Sequence, residues 1–116
     1  MVPANQPLSI YHLRVALLRT SPHVWRRILV RSCSSLSELH QTILCSFGWS
    51  AGQPYRFLIR GGFFSDANAT TSQPLSEFQF AAGERFLYDL RFQDAQALIP
   101  VWRHQVRLEK ITTAGP

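Results

Sequence analysis

Alternation of apolar and polar side chains constrains the fold of this chain more than any other feature. Within residues 10–18, Tyr11, Leu13 and Val15 alternate with His12 and Arg14. A period of two is that of a β-strand with one buried face. The same pattern predicts strands over 54–60, 86–92 and 102–111. The β-branched and aromatic residues of 24–31 predict one more, which forms a hairpin with the first.

One segment has the periodicity of a helix instead. Ser35 and Glu38 have the spacing of a capping box, and Gly48 is suited to end a helix in the left-handed conformation. Between these ends, apolar residues recur at every third or fourth position, which places them on one stripe. Cys45 falls within this pattern and is expected in the core. The stripe consists of Leu36, Leu39, Ile43 and Phe47, widened by Leu44.

These elements predict an α+β fold. We expect a two-layer sandwich with a mostly antiparallel sheet of about five strands and one main helix on one face. The order is β-β-α-β-loop-β-β, loosely β-grasp-like, and residues 63–82 form a long loop with a helical turn near 75–80. The chain of 116 residues is long enough for a single domain at 10–111, with flexible tails at 1–9 and 112–116.

No stretch has the length of a membrane span or the pattern of a secretory signal. The sequence therefore predicts a cytoplasmic protein with reduced cysteines and no membrane partner.

The positive charge of the chain is the sequence feature that says most about its binding partners. The formal net charge is +5, and residues 1–60 carry seven arginines against one acid, Glu38. Guanidinium groups suit phosphates and carboxylates, so nucleic acid and an acidic protein are both candidate partners. The alternative is that these arginines pair across strands with Asp89 and Glu109. The arginines predicted on the side of the sheet away from the core are Arg14, Arg56, Arg60, Arg91, Arg103 and Arg107.

Aromatic residues supply a second kind of candidate. Phe63 and Phe64 follow a Gly-Gly pair and are predicted to be an exposed apolar anchor for a protein partner. Trp25, Trp49 and Trp102 are expected in the core or at its rim.

The sequence favours a non-enzymatic protein. It has no phosphate-binding loop, and His40 and Cys45 lie five positions apart on one helix, which points them away from each other. His40, Asp94 and His104 are the residues from which a metal or catalytic site could be built, yet no paired metal-ligand spacing occurs. We therefore predict no catalytic residues, no metal and no cofactor.

Several phrases resemble the plasmid pRiA4b ORF-3-like family, whose members are often labelled TnpR-like passenger proteins of insertion elements. The resemblance covers roughly residues 10–111. The phrases that carry it are V-W-R-R-I-L-V at 24–30, L-x-x-L-H-x-x-I at 36–43, F-G-W at 47–49, F-x-I at 57–59, F-L-Y-D at 86–89 and V-x-L-E-K-I at 106–111.

The chain departs from the family in one region. The family's H-L-H-x-F phrase is replaced by Q-P-Y-R-F at 53–57, and its Y-D-F-G-D phrase by L-R-F-Q-D at 90–94. Extra residues at about 96–101 separate Asp94 from Trp102 and His104. A polar or metal site that uses those family residues would be largely lost here.

These observations lead to one favoured reading, one alternative and a third reading, an enzyme whose site the sequence does not reveal. The first is a binding module of a mobile genetic element that docks its arginine-rich sheet face on nucleic acid. The alternative is a protein–protein adaptor, or an inhibitor of a nucleic-acid machine of the anti-defence or anti-CRISPR type. The sequence leaves the oligomeric state, the choice of DNA or RNA, and the role of residues 96–101 open.

Overall fold

Within the described residues, the sheet has six strands in the order β2-β1-β6-β5-β3-β4, and neighbouring strands are antiparallel. The computed structural model describes residues 9–65, 71–90 and 102–113. The α+β class is confirmed, whereas the β-grasp-like detail is not. The elements are β1 (Ser9–Leu17), β2 (Val24–Arg31), α1 (Leu36–Phe47), β3 (Tyr55–Ile59), β4 (Gly62–Ser65), a 3-10 helix (Leu75–Phe78), β5 (Arg85–Leu90) and β6 (Trp102–Thr113).

The count of about five strands missed β4. Ile59 of β3 pairs with Gly62 of β4, so the connection consists of Arg60 and Gly61 alone. Both have positive φ, 51° for Arg60 and 80° for Gly61, as a two-residue type I′ hairpin turn requires. Arginine is an uncommon residue at the first of these positions, so the sequence lacks the usual signal of a two-residue hairpin turn here.

The strands extend slightly beyond the predicted domain bounds. Ser9 of β1 pairs with Thr113 of β6, so Ser9, Thr112 and Thr113 belong to the sheet rather than to the tails. The rest of the two predicted tails lies outside the described residues.

One face of the sheet carries the hydrophobic core. On β1, for example, Leu13 and Val15 are buried, as the alternation predicts. Helix α1 and the segment that contains the 3-10 helix pack against this face and contribute Leu36, Leu39, Ile43, Leu75 and Phe78. The helical turn predicted near 75–80 is therefore confirmed.

The helix begins and ends as its sequence predicts. The side chain of Ser35 accepts a hydrogen bond from the backbone N–H of Glu38, and the Glu38 carboxylate accepts one from the backbone N–H of Ser35. Gly48 closes the helix at φ 72°. Cys45, which was expected in the core, is exposed, because it lies on the side of α1 away from the apolar stripe.

Substituting Ser35→Ala is expected to lower the free energy of unfolding by about 1 kcal/mol, because the first turn loses its side-chain acceptor. Chemical denaturation measures the change. Ser37→Ala is the matched control, since Ser37 lies in the same turn and is not the cap residue. Equal losses in both variants would contradict the capping argument.

Candidate nucleic-acid interface

The face of the sheet opposite α1 is the candidate interface. We call it the open face; it carries the side chains that alternate with the core residues, among them Arg14, Arg27, Leu58, Leu87 and Arg107. Residues directly opposite each other on neighbouring antiparallel strands point to the same face. The register of the strands therefore decides which of these side chains become neighbours.

The register aligns four arginines across four adjacent strands. Arg27 of β2 pairs with Arg14 of β1, Arg14 with Arg107 of β6, and Arg107 with Arg85 of β5. We call Arg27, Arg14, Arg107 and Arg85 the arginine row. With neighbouring strands about 4.8 Å apart, the row is about 14 Å long. It crosses the sheet perpendicular to the strands.

The arginine row concentrates positive charge. Like charges directly opposite each other on a sheet destabilise it unless something neutralises them. Among residues 9–65, 71–90 and 102–113, no acidic side chain lies within ion-pair distance of Arg14, Arg85 or Arg107. The row is therefore a site at which an external polyanion would relieve repulsion.

The acidic residue Glu109 of β6 lies beside the row, two residues along its strand from Arg107. Its Oε1 accepts a hydrogen bond of 3.0 Å from Nε of Arg27. That bond is the largest reason that the pKa of Glu109 is lower than usual, and the positive charges of Arg14 and Arg107 lower it further. The sheet register shifts next to Glu109, since His12 pairs with Lys110 but Leu13 pairs with Leu108. Glu109 is thus the extra residue of a β-bulge.

Two exposed aromatic residues lie on the open face. Trp25 is 39% exposed, and the guanidinium carbons of Arg14 and Arg27 lie 4.8 and 5.1 Å from its ring centroid. Phe63 is 58% exposed, with the guanidinium carbon of Arg56 at 5.3 Å. The predicted pair at 63–64 is split, because Phe64 points to the other face and packs edge-on against Phe78 of the core.

Two of the six predicted arginines have a structural role. Nε of Arg103 donates to Oδ1 of Asp89 at 2.7 Å, its Nη2 donates to Oδ2 at 2.9 Å, and Nε of Arg56 donates to Oδ2 at 2.8 Å. Asp89 is fully buried. Burial alone would raise the pKa of Asp89, but the hydrogen bonds from Arg103 and Arg56 together hold it below its usual value. Cross-strand pairing, the alternative raised from the sequence, therefore applies to these two arginines.

Arg60 is not part of the predicted arginine surface, for a different reason. Arg60 lies in the β3–β4 turn with a positive φ, so its side chain does not follow the alternation of faces along β3. It donates two hydrogen bonds to Glu84 and one to the carbonyl of Phe78. Arg91 lies outside the described residues. Of the six predicted arginines, Arg14 and Arg107 meet in the arginine row, whereas Arg56 and Arg103 meet at Asp89.

Sequence reasoning did not select Arg27 and Arg85, which complete the row. Arg85 is the first residue of β5, one position before the predicted start of that strand. Its alternation with Phe86 and Tyr88 was the signal that could have identified it. Arg26 and Arg27 are neighbours in a strand, so the sequence places them on opposite faces but does not decide which one faces the core. The structure places Arg26 at the core edge, over the ring of Phe47, and Arg27 on the open face.

The candidate catalytic histidines are buried among aromatic rings. Nδ1 of His40 lies 2.6 Å from the hydroxyl oxygen of Tyr88, and its ring stacks on Tyr55. His104 is fully buried, and its ring contacts those of Phe47, Trp49 and Tyr88. No group of three or more potential metal ligands occurs in the described part of the chain. Asp94 and residues 96–101 lie outside it.

The fold and this surface define a small antiparallel α+β protein with a cationic sheet face. The chain belongs to the plasmid pRiA4b ORF-3-like family, whose model matches residues 9–116. This confirms the family resemblance derived from the sequence.

Two relatives are similar to most of this chain. The uncharacterized protein y4hQ of Sinorhizobium fredii is 27% identical over 121 residues, which cover 93% of this chain and 59% of that protein. The crystal structure of a protein of unknown function, MM3350 from Methanosarcina mazei Go1, has a TM-score of 0.76 at 24% identity, covering 95% of this chain and 65% of that one. This chain thus spans less than two thirds of either relative. The second likeness supports the fold.

Proposed function

We propose that this protein is a non-enzymatic binding module of a mobile genetic element that docks its arginine row on the phosphate backbone of nucleic acid. The observation that carries the proposal is the alignment of Arg27, Arg14, Arg107 and Arg85 in one row. The plasmid-derived name of the family supports the mobile element. The TnpR-like passenger role rests on the sequence resemblance alone. Nucleic acid as the ligand implies action in the cytoplasm.

Three features favour a phosphate backbone as the ligand. Arginine forms paired, charge-assisted hydrogen bonds to phosphate oxygens. The row is linear, so it fits a ligand whose negative charges also repeat along a line. Glu109 forms its ion pair with Arg27 at one end of the row and leaves the other three arginines available to such a ligand.

The alternative partner is an acidic protein, for which the row would bind carboxylates. Phe63 and Leu29, which are 58% and 64% exposed, would then serve as apolar anchors on the same face. Carboxylates on a folded protein surface do not repeat at the regular spacing of phosphates. The linear row therefore favours nucleic acid, and the protein partner is tested as an outcome below.

Binding to labelled single-stranded and duplex oligonucleotides, followed by fluorescence polarisation over a salt series, tests the proposal. Each phosphate contact contributes about 0.7 to 0.9 to the slope of log affinity against log salt. Replacing Arg14 and Arg107 by Gln is expected to reduce that slope by about 1.5 and to weaken binding at every salt concentration. Thermal stability should stay the same or rise, because the substitutions remove like-charge repulsion.

The matched control replaces Arg19 and Arg31 by Gln. Both are exposed and lie outside the row, so the net charge falls equally while the row stays intact. Equal loss of binding in the two double variants would show that net charge, rather than the row, attracts the ligand. No binding by the unmodified protein at low salt would reject the proposal and favour a protein partner.

A further inference from the structure

The open face carries a second row beside the arginine row. Ala16 of β1 pairs with Trp25 of β2 and with Gln105 of β6, Gln105 pairs with Leu87 of β5, Leu87 with Leu58 of β3, and Leu58 with Phe63 of β4. The row thus crosses all six strands and ends in an exposed aromatic ring on each side. We call it the Trp25–Phe63 row; its members are Trp25, Ala16, Gln105, Leu87, Leu58 and Phe63.

The two rows run side by side. Each member of the arginine row lies two residues along its strand from a member of the Trp25–Phe63 row, for example Arg27 from Trp25 and Arg14 from Ala16. Two residues of a strand span about 7 Å. The open face therefore presents a line of positive charge next to a line without any charged side chain.

We infer that the ligand of this face is a single-stranded nucleic acid, with its phosphates along the arginine row and its bases turned onto the Trp25–Phe63 row. This inference rests on the proposed function and adds the class of nucleic acid and the manner of binding. A single strand has a charged edge and an apolar, stackable edge, which matches the two rows. The bases of a duplex are already stacked and paired, so they offer nothing to the second row.

The width of the sheet supports the same choice. Six strands at about 4.8 Å make the Trp25–Phe63 row about 24 Å long. A major groove is about 12 Å wide and admits a helix or a two-stranded ribbon, so this face cannot enter it. A single strand can lie flat across a sheet, and aromatic residues on a sheet are a general means of holding unpaired bases.

The arginines near the aromatic rings fit this arrangement. Arg14 and Arg27 lie against Trp25, and Arg56 lies against Phe63. A base can stack on a guanidinium plane as well as on an aromatic ring. Bound bases would therefore extend stacks that already exist at both ends of the row.

An abasic strand separates phosphate binding along the arginine row from base stacking on the Trp25–Phe63 row. It carries the same phosphates as oligothymidine of equal length, about 12 nucleotides, but offers no base to stack. We expect the protein to bind oligothymidine or the corresponding RNA at least about fivefold more tightly than the abasic strand, and more tightly than duplex. The salt slope should be the same for the base-containing and the abasic single strand.

Two variants locate the stacking. Trp25→Leu and Phe63→Leu keep apolar volume but remove the ring, and together they should reduce the preference for oligothymidine over the abasic strand to about onefold. Trp25→Phe should retain part of it. Leu29→Ala is the control, since Leu29 is 64% exposed on the same face of β2 but lies outside both rows.

The outcomes distinguish this inference from the proposed function. Equal affinity for the abasic strand and oligothymidine, or tighter binding to duplex, would overturn the inference and leave the phosphate-docking proposal in place. Failure to bind any of the strands would overturn both. Loss of the base preference in Leu29→Ala, with retention in Trp25→Leu and Phe63→Leu, would place the stacking elsewhere and also overturn it.

Discussion

Arg103→Met is expected to lower the free energy of unfolding by about 3 kcal/mol. The substitution removes two hydrogen bonds from the fully buried Asp89 carboxylate and leaves it, among the described residues, with one hydrogen bond, from Arg56. An under-compensated buried charge is one of the few defects that destabilise a small domain this strongly. Urea denaturation at neutral pH measures the loss.

Two further variants test the cause of that loss. Adding Asp89→Leu to Arg103→Met should restore most of the lost stability, because no under-compensated carboxylate then remains buried. Arg27→Met breaks the Arg27–Glu109 pair, in which the Arg27 side chain is 63% exposed, and should change stability little. If the double variant were less stable than Arg103→Met alone, the loss would come from packing and not from the under-compensated charge of Asp89.

The structural role of Arg103 also affects the choice of variants for the binding experiments. Arg103 was among the arginines selected from the sequence, yet a variant at Arg103 would confuse loss of binding with loss of folding. Arg14 and Arg107 are better choices, because neither is within ion-pair distance of an acid in the described ranges.

The second large effect expected is a fall in stability between about pH 6.5 and pH 4, caused by His104. Burial lowers the pKa of His104 to about 4, although the hydrogen bond to the Tyr88 carbonyl and the charge of Asp89 act in the opposite direction. That carbonyl can only accept, so Nδ1 of His104 carries the proton. Nε2 is buried and has no hydrogen-bond partner among the described residues, so protonating it would place an unsatisfied charge among aromatic rings.

The direction of this pH effect depends on whether the folded or the unfolded state protonates His104 at the higher pH. The unfolded chain protonates His104 near pH 6.5, whereas the folded protein does so only near pH 4. The contribution of neutral His104 to stability is therefore fully present above about pH 6.5. The free energy of unfolding then falls as the pH decreases toward 4, by about 3 kcal/mol in total. The pKa of Asp89 is lowered, so its contribution is lost only at still lower pH, as the pH falls below the carboxyl's unfolded value.

Denaturation at several pH values measures this effect in the unmodified protein and in His104→Leu. The variant should show a much flatter dependence between pH 7 and pH 4, because its side chain cannot bind a proton. His23→Ala, in the exposed turn between β1 and β2, should keep the full dependence. An unchanged slope in His104→Leu would assign the acid sensitivity to another group.

The elements of this fold were largely predictable, because their signals are local. The period of two assigned the inner and outer residues of β1, β3, β5 and β6, and the Ser35–Glu38 spacing located the start of the helix. Strand β4 was not predicted because its turn contains Arg60 in a conformation that arginine rarely adopts. Cys45 was misplaced because it was assigned to the core from its position within the helical segment, although nine residues after Leu36 it lies about 180° around the helix from the apolar stripe.

The candidate site was only partly predictable, because its geometry depends on strand order and register. The sequence determined that arginines alternate with core residues and therefore face away from the core. Only the tertiary structure decided that Arg103 and Arg56 flank Asp89 on neighbouring strands, and that Arg27, Arg14, Arg107 and Arg85 align. Alternation along a strand is a local property of the backbone, whereas the neighbour across a strand is set by long-range pairing, and a register shift of one residue would reverse every face.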